Sequence, residues 1–117
     1  MENNSYSVAV LGAGNIGSAV ISRLQNLDND IVQLVIKKVL VSDLSKDREI
    51  DNAILTDNFE EILNDASIDL VIEVLGGIDP GKEYIKALLS SGKSVITANK
   101  DIVADCGEEL VSLAIEN

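Results

Sequence analysis

The feature that most constrains this chain is a group of three glycines, Gly12, Gly14 and Gly17, in the stretch "VLGAGNIGSAVI". Residues 6–11 before them are an apolar run that predicts a buried strand, and residues 15–27 after them carry apolar residues at helical spacing. In this context, between a strand and a helix, a G-x-G-x-x-G spacing indicates a dinucleotide-binding turn. The alternative is an ordinary glycine-rich turn that binds no ligand.

Each glycine has its own physical role in such a turn. Gly12 permits the tight turn, Gly14 lets a pyrophosphate approach the backbone, and Gly17 lets the helix pack closely on the strand. The free N–H groups of the first helical turn then face the phosphates. The residues predicted to bind the pyrophosphate are Gly12, Ala13, Gly14, Asn15, Ile16 and Gly17.

Strands and helices alternate along the rest of the chain. Further strands are predicted at 34–42, 53–56, 69–77 and 94–98. A turn is predicted at 28–30, and helices are predicted at 58–65, 79–92 and 107–117. Asp57 and Asp79 are the predicted caps of the first two of these helices, and Gly92 lies just past the end of the second.

This alternation predicts an α/β fold, a doubly wound, Rossmann-like parallel sheet of about five strands in the order 3-2-1-4-5. Ligands of such sheets bind beyond the carboxyl ends of the strands, at the switch point between strands 1 and 4. The glycine loop, the pair Gly76–Gly77 and the segment after Ala98 are all predicted at that edge.

Charge and composition narrow the class of ligand. The formal net charge is -11, so the chain lacks the basic surface that nucleic acids and anionic membranes require. A small phosphate-bearing ligand is compatible with this charge, because backbone N–H groups at a helix end can hold it. With no histidine and a single cysteine, Cys106, we predict no metal site and no disulfide. The composition indicates a soluble protein of a reducing compartment, the cytoplasm.

The end of the second predicted strand, "VSDLSKDR", carries candidates for contact with the adenosine ribose. Asp43 suits the 2′-hydroxyl of NAD, whereas Lys46 and Arg48 suit the 2′-phosphate of NADP. A solvated charged loop without ligand contact is the alternative. These residues leave the choice between NAD and NADP open.

Two segments follow the fourth and fifth predicted strands. Gly76 and Gly77 allow a flat ring or a ribose to lie against the backbone, or simply form a tight turn. Glu73 is either a buried carboxylate of the site or an outward-facing residue. In "TANK", residues 97–100, a lysine directly follows the carboxyl end of a strand and is predicted to point into the cleft. A surface turn lysine without function is the alternative.

These motifs together resemble one family. "GAGNIGSAV", "VLVSDLSKDR" and the segment from "EVLGG" to "TANKD" are similar to the nucleotide-binding domain of homoserine dehydrogenase, over nearly the whole chain. The pairing of "EVLGG" with "TANKD" is more specific than the glycine loop. The resemblance implies an NAD(P)-dependent enzyme that interconverts L-homoserine and L-aspartate 4-semialdehyde, a step of threonine and methionine biosynthesis.

The resemblance also implies roles for particular residues. Lys100 matches the "TANK" lysine, which lies by the nicotinamide and the reacting carbon, and is implied as the catalytic residue of proton transfer. Many members carry Arg where this chain has Ser42, a departure that favours NAD, while Lys46 and Arg48 favour NADP. The nicotinamide side would be lined by Gly76, Gly77, Thr97 and Ala98, and Asn99 and Lys100 are further candidates for cofactor binding.

In this family the substrate-binding and dimerising region, a second catalytic lysine and a metal site lie beyond the position of Asn117. We therefore expect residues 1–117 to be a single dinucleotide-binding domain of a longer, homo-oligomeric enzyme, with little or no turnover alone. A small-molecule substrate is implied for that enzyme. The alternatives are a related reductase, such as dihydrodipicolinate reductase or aspartate dehydrogenase, and a free-standing nucleotide-sensing module. "TANK" after "EVLGG" disfavours the related reductases.

Overall fold

A computed structural model of the chain describes residues 5–26, 32–46 and 48–117, so the turn predicted at 28–30 lies outside the described residues. The strands are β1 (Ser5–Leu11), β2 (Gln33–Leu40), β3 (Leu55–Thr56), β4 (Leu70–Glu73) and β5 (Ser94–Thr97). The α-helices are α1 (Asn15–Gln25), α2 (Glu60–Leu63), α3 (Gly81–Ser90) and α4 (Lys100–Glu116), and a 3-10 turn, Asn52–Ile54, precedes β3. Within the described ranges, no helix is long and apolar enough to cross a membrane.

The strands form one parallel sheet in the order β3-β2-β1-β4-β5, which confirms the predicted order and fold class. β1 is central and pairs with β2 on one side and β4 on the other, so that Val10 lies beside both Val39 and Ile72. The chain passes from one half of the sheet to the other across β1. The switch point therefore lies between the carboxyl ends of β1 and β4.

Aliphatic side chains cover both faces of the sheet because successive strand residues point to opposite sides. The face toward α1 is packed by Val8, Val10, Ile21, Val39 and Val41. The opposite face is packed by Ala9, Leu11, Ile62, Val71 and Leu88, from the sheet and from α2 and α3. Removal of these apolar surfaces from water is the main contribution to the stability of such a fold.

The last helix is predicted at 107–117 but begins at Lys100, so that prediction is wrong in its start. The Asn99 side chain accepts hydrogen bonds from two N–H groups of the first turn and caps the helix there. Ile102 and Cys106 then bury themselves in a cluster shared with α3. The helix has a non-helical residue at Cys106 (φ -147°, ψ 26°), and the prediction found only the part beyond this kink.

Both predicted helix caps are also wrong. At α2, the Asn58 side chain, not that of Asp57, accepts the hydrogen bond from the Glu60 N–H at 3.1 Å. The Thr56 hydroxyl accepts from the Asn58 N–H at 3.1 Å and so positions Asn58 for this role. Helix α3 begins at Gly81 with no side-chain cap at all, so Asp79 does not cap it.

Strands β2 and β4 end earlier than predicted, at Leu40 and Glu73 rather than at residues 42 and 77. The chain leaves the sheet at these points because both following segments turn to line a cleft at the carboxyl edge. The segment after β4 packs closely on the glycine loop, since the carbonyl oxygen of Val74 would lie 3.2 Å from a Cβ on Gly12. Apolar character alone does not reveal where sheet pairing stops.

Candidate functional site

A cleft of about 560 Å³ opens at the switch point of the sheet. Its walls come from the glycine loop after β1, the segment after β2 and the segment after β4. The structure therefore brings together three segments that are far apart in sequence. The predicted site residues among its lining are Gly12, Ala13, Gly14, Ser42, Lys46, Arg48 and Gly76.

The fold itself requires two glycines of the loop. Gly12 has a φ of +107°, a region that residues with a side chain rarely adopt. A Cβ on Gly17 would lie only 2.8 Å from the carbonyl carbon of Gly12. Helix α1 and the end of β1 can therefore pack this closely only with glycine at position 17, as the sequence predicts.

The fold does not require the other two glycines that line the cleft. A Cβ on Gly14 or on Gly76 would meet no atom within 4 Å, and neither residue has a positive φ. Both residues nevertheless line the same cleft. The space above their backbones is therefore open to a ligand that approaches the main chain closely.

The N-terminus of α1 borders this open space, and no side chain of the helix start accepts hydrogen bonds from its free N–H groups. Its N-cap is Gly14, no side chain caps it, and no acidic residue stands in its first turn. The N–H groups of Asn15, Ile16 and Gly17 thus have no side-chain cap. The partial positive charge of a helix start makes this position favourable for a phosphate.

The loop after β2 presents cations to the cleft and turns its carboxylate elsewhere. The Asp43 carboxylate accepts hydrogen bonds from the hydroxyl and the N–H of Ser45, and these bonds hold the pKa of Asp43 below its usual 3.8. Asp43 does not line the cleft, whereas Lys46 and Arg48 do. Arg48 also donates to the carbonyl oxygens of Asp43 at 2.7 Å and of Lys46 at 3.3 Å, which folds the loop on itself.

The segment after β5 is bonded to the segment after β4. Asn99 is buried, and its amide group donates to the carbonyl oxygens of Leu75 at 3.2 Å and of Gly77. Its carbonyl oxygen accepts the two capping bonds of α4, so its hydrogen-bonding capacity is filled by the backbone. Lys100 follows as the first residue of α4 and is exposed. Thr97 and Lys100 do not line the cleft itself.

Glu73 is fully buried, at 0% exposure, which decides between the two positions that the sequence left open. Its Oε2 accepts the Leu75 N–H at 2.9 Å, and its Oε1 accepts the hydroxyl of Thr97. The side chain therefore lies inside the junction between the ends of β4 and β5, and it does not line the cleft.

Sequence reasoning missed several residues of the cleft. They lie at or just after the carboxyl end of a strand, or next to or within the first turn of α3, and this position at the carboxyl edge of the sheet is the signal that could have identified them. They are Leu40, Val41, Asp57, Val74, Leu75, Pro80 and Tyr84.

Comparisons with known proteins agree with this geometry. The family model described as "Homoserine dehydrogenase, NAD binding domain" matches residues 12–117. The homoserine dehydrogenase of Bacillus subtilis is 42% identical over 117 residues, which are 94% of this chain and 27% of that protein. The crystal structure of Staphylococcus aureus homoserine dehydrogenase at pH 7.5 has a TM-score of 0.86 at 39% identity, over 98% of this chain and 30% of that one.

A hyperthermophilic archaeal homoserine dehydrogenase in complex with NADPH has a TM-score of 0.75 at 21% identity, over 97% of this chain and 41% of that one, and shares the fold. The chain spans about 27% of the length of the curated relatives it matches. The family match confirms the resemblance inferred from the "GAGNIG", "EVLGG" and "TANK" motifs. The chain belongs to the family of homoserine dehydrogenase NAD-binding domains.

Proposed function

We propose that this chain binds the cofactor for an oxidoreductase that interconverts L-homoserine and L-aspartate 4-semialdehyde, a step of threonine and methionine biosynthesis. One observation carries the site: two glycines that the fold does not need, Gly14 and Gly76, lie open on one cleft at the switch point. The substrate assignment rests on the relatives, which are homoserine dehydrogenases.

The glycine loop is the proposed pyrophosphate site. The open backbone at Gly14 and the uncapped start of α1 support this role. When bound, the nicotinamide accepts or returns the hydride. The protein must then hold the two halves of the dinucleotide on either side of β1 and keep the reacting carbon next to the ring.

Lys100 is the residue that we propose for proton transfer. As hydride leaves the alcohol carbon, the hydroxyl proton must also leave, and a lysine amine can accept it. In the reverse direction the ammonium can polarise the aldehyde oxygen and return the proton. The exposed place of Lys100 at the start of α4, next to Asn99, which is bonded to Gly77, supports this role.

We propose NADP as the preferred cofactor. Lys46 and Arg48 line the cleft together with Ser42, and cations suit a 2′-phosphate. The carboxylate that would bind the 2′-hydroxyl of NAD, that of Asp43, is bonded to Ser45 instead.

We propose that the substrate-binding and dimerising surfaces lie in the part of the relatives that this chain does not cover, because the chain spans about 27% of their length. Residues 1–117 then act as a single dinucleotide-binding domain of a homo-oligomeric enzyme. A cytoplasmic location fits the biosynthetic role of such an enzyme.

Calorimetric titration of NADP and NAD into wild type and the Gly14→Val variant tests the site. The valine side chain would fill the open space at Gly14, so we expect affinity to fall at least about tenfold while the thermal unfolding midpoint stays within a few degrees. Ala19→Val is the matched control, because it adds the same branched side chain on the exposed face of α1. Unchanged affinity of Gly14→Val, or no nucleotide binding by wild type, would contradict the proposed site.

A further inference from the structure

Glu73 is a buried carboxylate without a cationic partner among the described residues. Burial of a charge is costly unless hydrogen bonds compensate it. Both of its oxygens accept such bonds, one from the Leu75 N–H and one from the Thr97 hydroxyl. The start of α3 also lies against it, since a Cβ on Gly81 would be 3.3 Å from Oε2. An apolar side chain at this strand end would need no hydrogen bonds to offset its burial, so the carboxylate at this position points to a specific role.

The partners of Glu73 form a continuous set of bonds, here called the Glu73 network: Glu73, Leu75, Gly77, Thr97 and Asn99. Thr97 donates to Glu73 and accepts the Asn99 N–H at 3.0 Å. Asn99 donates in turn to the carbonyl oxygens of Leu75 and Gly77. The bonds close a ring that joins the segment after β4 to the segment after β5.

Sheet pairing cannot supply this connection. β4 ends at Glu73 and β5 ends at Thr97, and one further backbone bond, from the Ala98 N–H to the Glu73 carbonyl at 3.3 Å, follows. Beyond that point, the hydrogen bonds described between the two segments are those of the Glu73 network. Farther along the chain, α3 packs on α4 through apolar side chains, but directly after the strand ends the network joins the two segments.

The network lies on one side of the switch point only. β4 and β5 form the half of the sheet opposite to β2 and β3, where Lys46 and Arg48 lie. A dinucleotide bound across a switch point places one mononucleotide over each half. The adenosine half belongs to the β2–β3 side, so the nicotinamide half belongs over the Glu73 network.

We propose that Glu73 is a positioning residue for the nicotinamide mononucleotide half of the cofactor. It holds the backbone of 75–77 and of 97–100 at the spacing that this half requires, without touching the ligand. This inference rests on the proposed function of the cleft. It predicts that loss of the Glu73 carboxylate weakens one half of the dinucleotide selectively.

The test compares two ligands on this chain by calorimetry: NADP, and adenosine 2′,5′-bisphosphate, which lacks the whole nicotinamide mononucleotide half. In the Glu73→Ala variant we expect NADP affinity to fall about tenfold and the affinity for adenosine 2′,5′-bisphosphate to stay within about twofold. Glu73→Gln keeps the volume and one acceptor oxygen, so it should lose less and partly rescue the NADP affinity. It also provides a folded variant if Glu73→Ala does not fold.

Glu61→Gln is the matched control, because Glu61 also accepts a threonine hydroxyl at a strand end, that of Thr56 at 2.9 Å, but on the β3 edge. It should leave the ratio of the two affinities unchanged. An equal loss of both affinities in the Glu73 variants would mean a general structural role and would overturn the proposal. Equal affinities of wild type for the two ligands would also overturn it, whereas binding of neither ligand by wild type would refute the cleft itself.

Discussion

The loop after β2 and the segment after β5 lie at the same edge of one sheet, at its two opposite ends, but are held in opposite ways. In the loop after β2, the described hydrogen bonds are local: Asp43 bonds Ser45, and Arg48 bonds carbonyl oxygens of its own loop. After β5, the buried side chain of Asn99 bonds carbonyl oxygens 22 and 24 residues away. The first loop can change its side chains without disturbing the core, and the second cannot. The proposed cofactor selectivity thus belongs to an adaptable end of the sheet edge, and the proposed chemistry to a braced end.

The largest expected effect concerns Lys100, which follows Asn99 in the braced segment after β5. In a chain that carries the full length of the family's enzymes, Lys100→Ala should lower turnover about 100-fold or more, because it removes an acid–base group. Cofactor affinity should stay within about twofold. Steady-state kinetics of homoserine oxidation and cofactor titration measure the two quantities.

Lys86→Ala is the control for Lys100→Ala, since Lys86 of α3 pairs with Glu109 of α4 at 3.1 Å and does not line the cleft. It should leave turnover unchanged. An equal loss of turnover and cofactor affinity in Lys100→Ala would refute the proton-transfer role and leave Lys100 as a binding residue.

The second prediction compares the stability of the two ends directly. Asn99→Ala removes a helix cap and leaves the carbonyl oxygens of Leu75 and Gly77 without their donor, so the free energy of unfolding should fall by about 2 kcal/mol. Ser45→Ala, in the exposed loop, should change it by less than about 0.5 kcal/mol. Urea denaturation followed by circular dichroism measures both. Similar losses in the two variants would remove the contrast between a braced and an adaptable end.

The third prediction concerns cofactor choice at the adaptable end. Replacing both Lys46 and Arg48 by Ala should weaken NADP binding about tenfold and leave NAD binding nearly unchanged. Lys37→Ala is the control, because Lys37 pairs with Asp65 at 2.8 Å and does not line the cleft. Tighter binding of NAD than of NADP by wild type would show that Asp43 turns away from Ser45 to bind the ribose.

Much of the fold was predictable because it depends on local patterns. Apolar strands that alternate with amphipathic helices led to the parallel sheet and its order, and the spacing of Gly12, Gly14 and Gly17 led to the turn. The predicted helix start at residue 107 missed the cap at Asn99, although an asparagine directly before "KDIVAD" is a helix-start signal. Even the bond from Ser45 to Asp43 follows a local pattern, because an aspartate often accepts from the residue two positions on.

The amino-acid sequence by itself determined the fold class, the family and the presence of a glycine loop, since each depends on residues that are close together along the chain. Tertiary structure alone decided that a Cβ on Gly14 or on Gly76 would meet no protein atom and that both glycines line one cleft. It also decided that Glu73 is buried and bonded to Thr97, 24 residues away. The physical reason is that burial and long-range hydrogen bonds arise only when separate strand ends meet at one edge of the sheet.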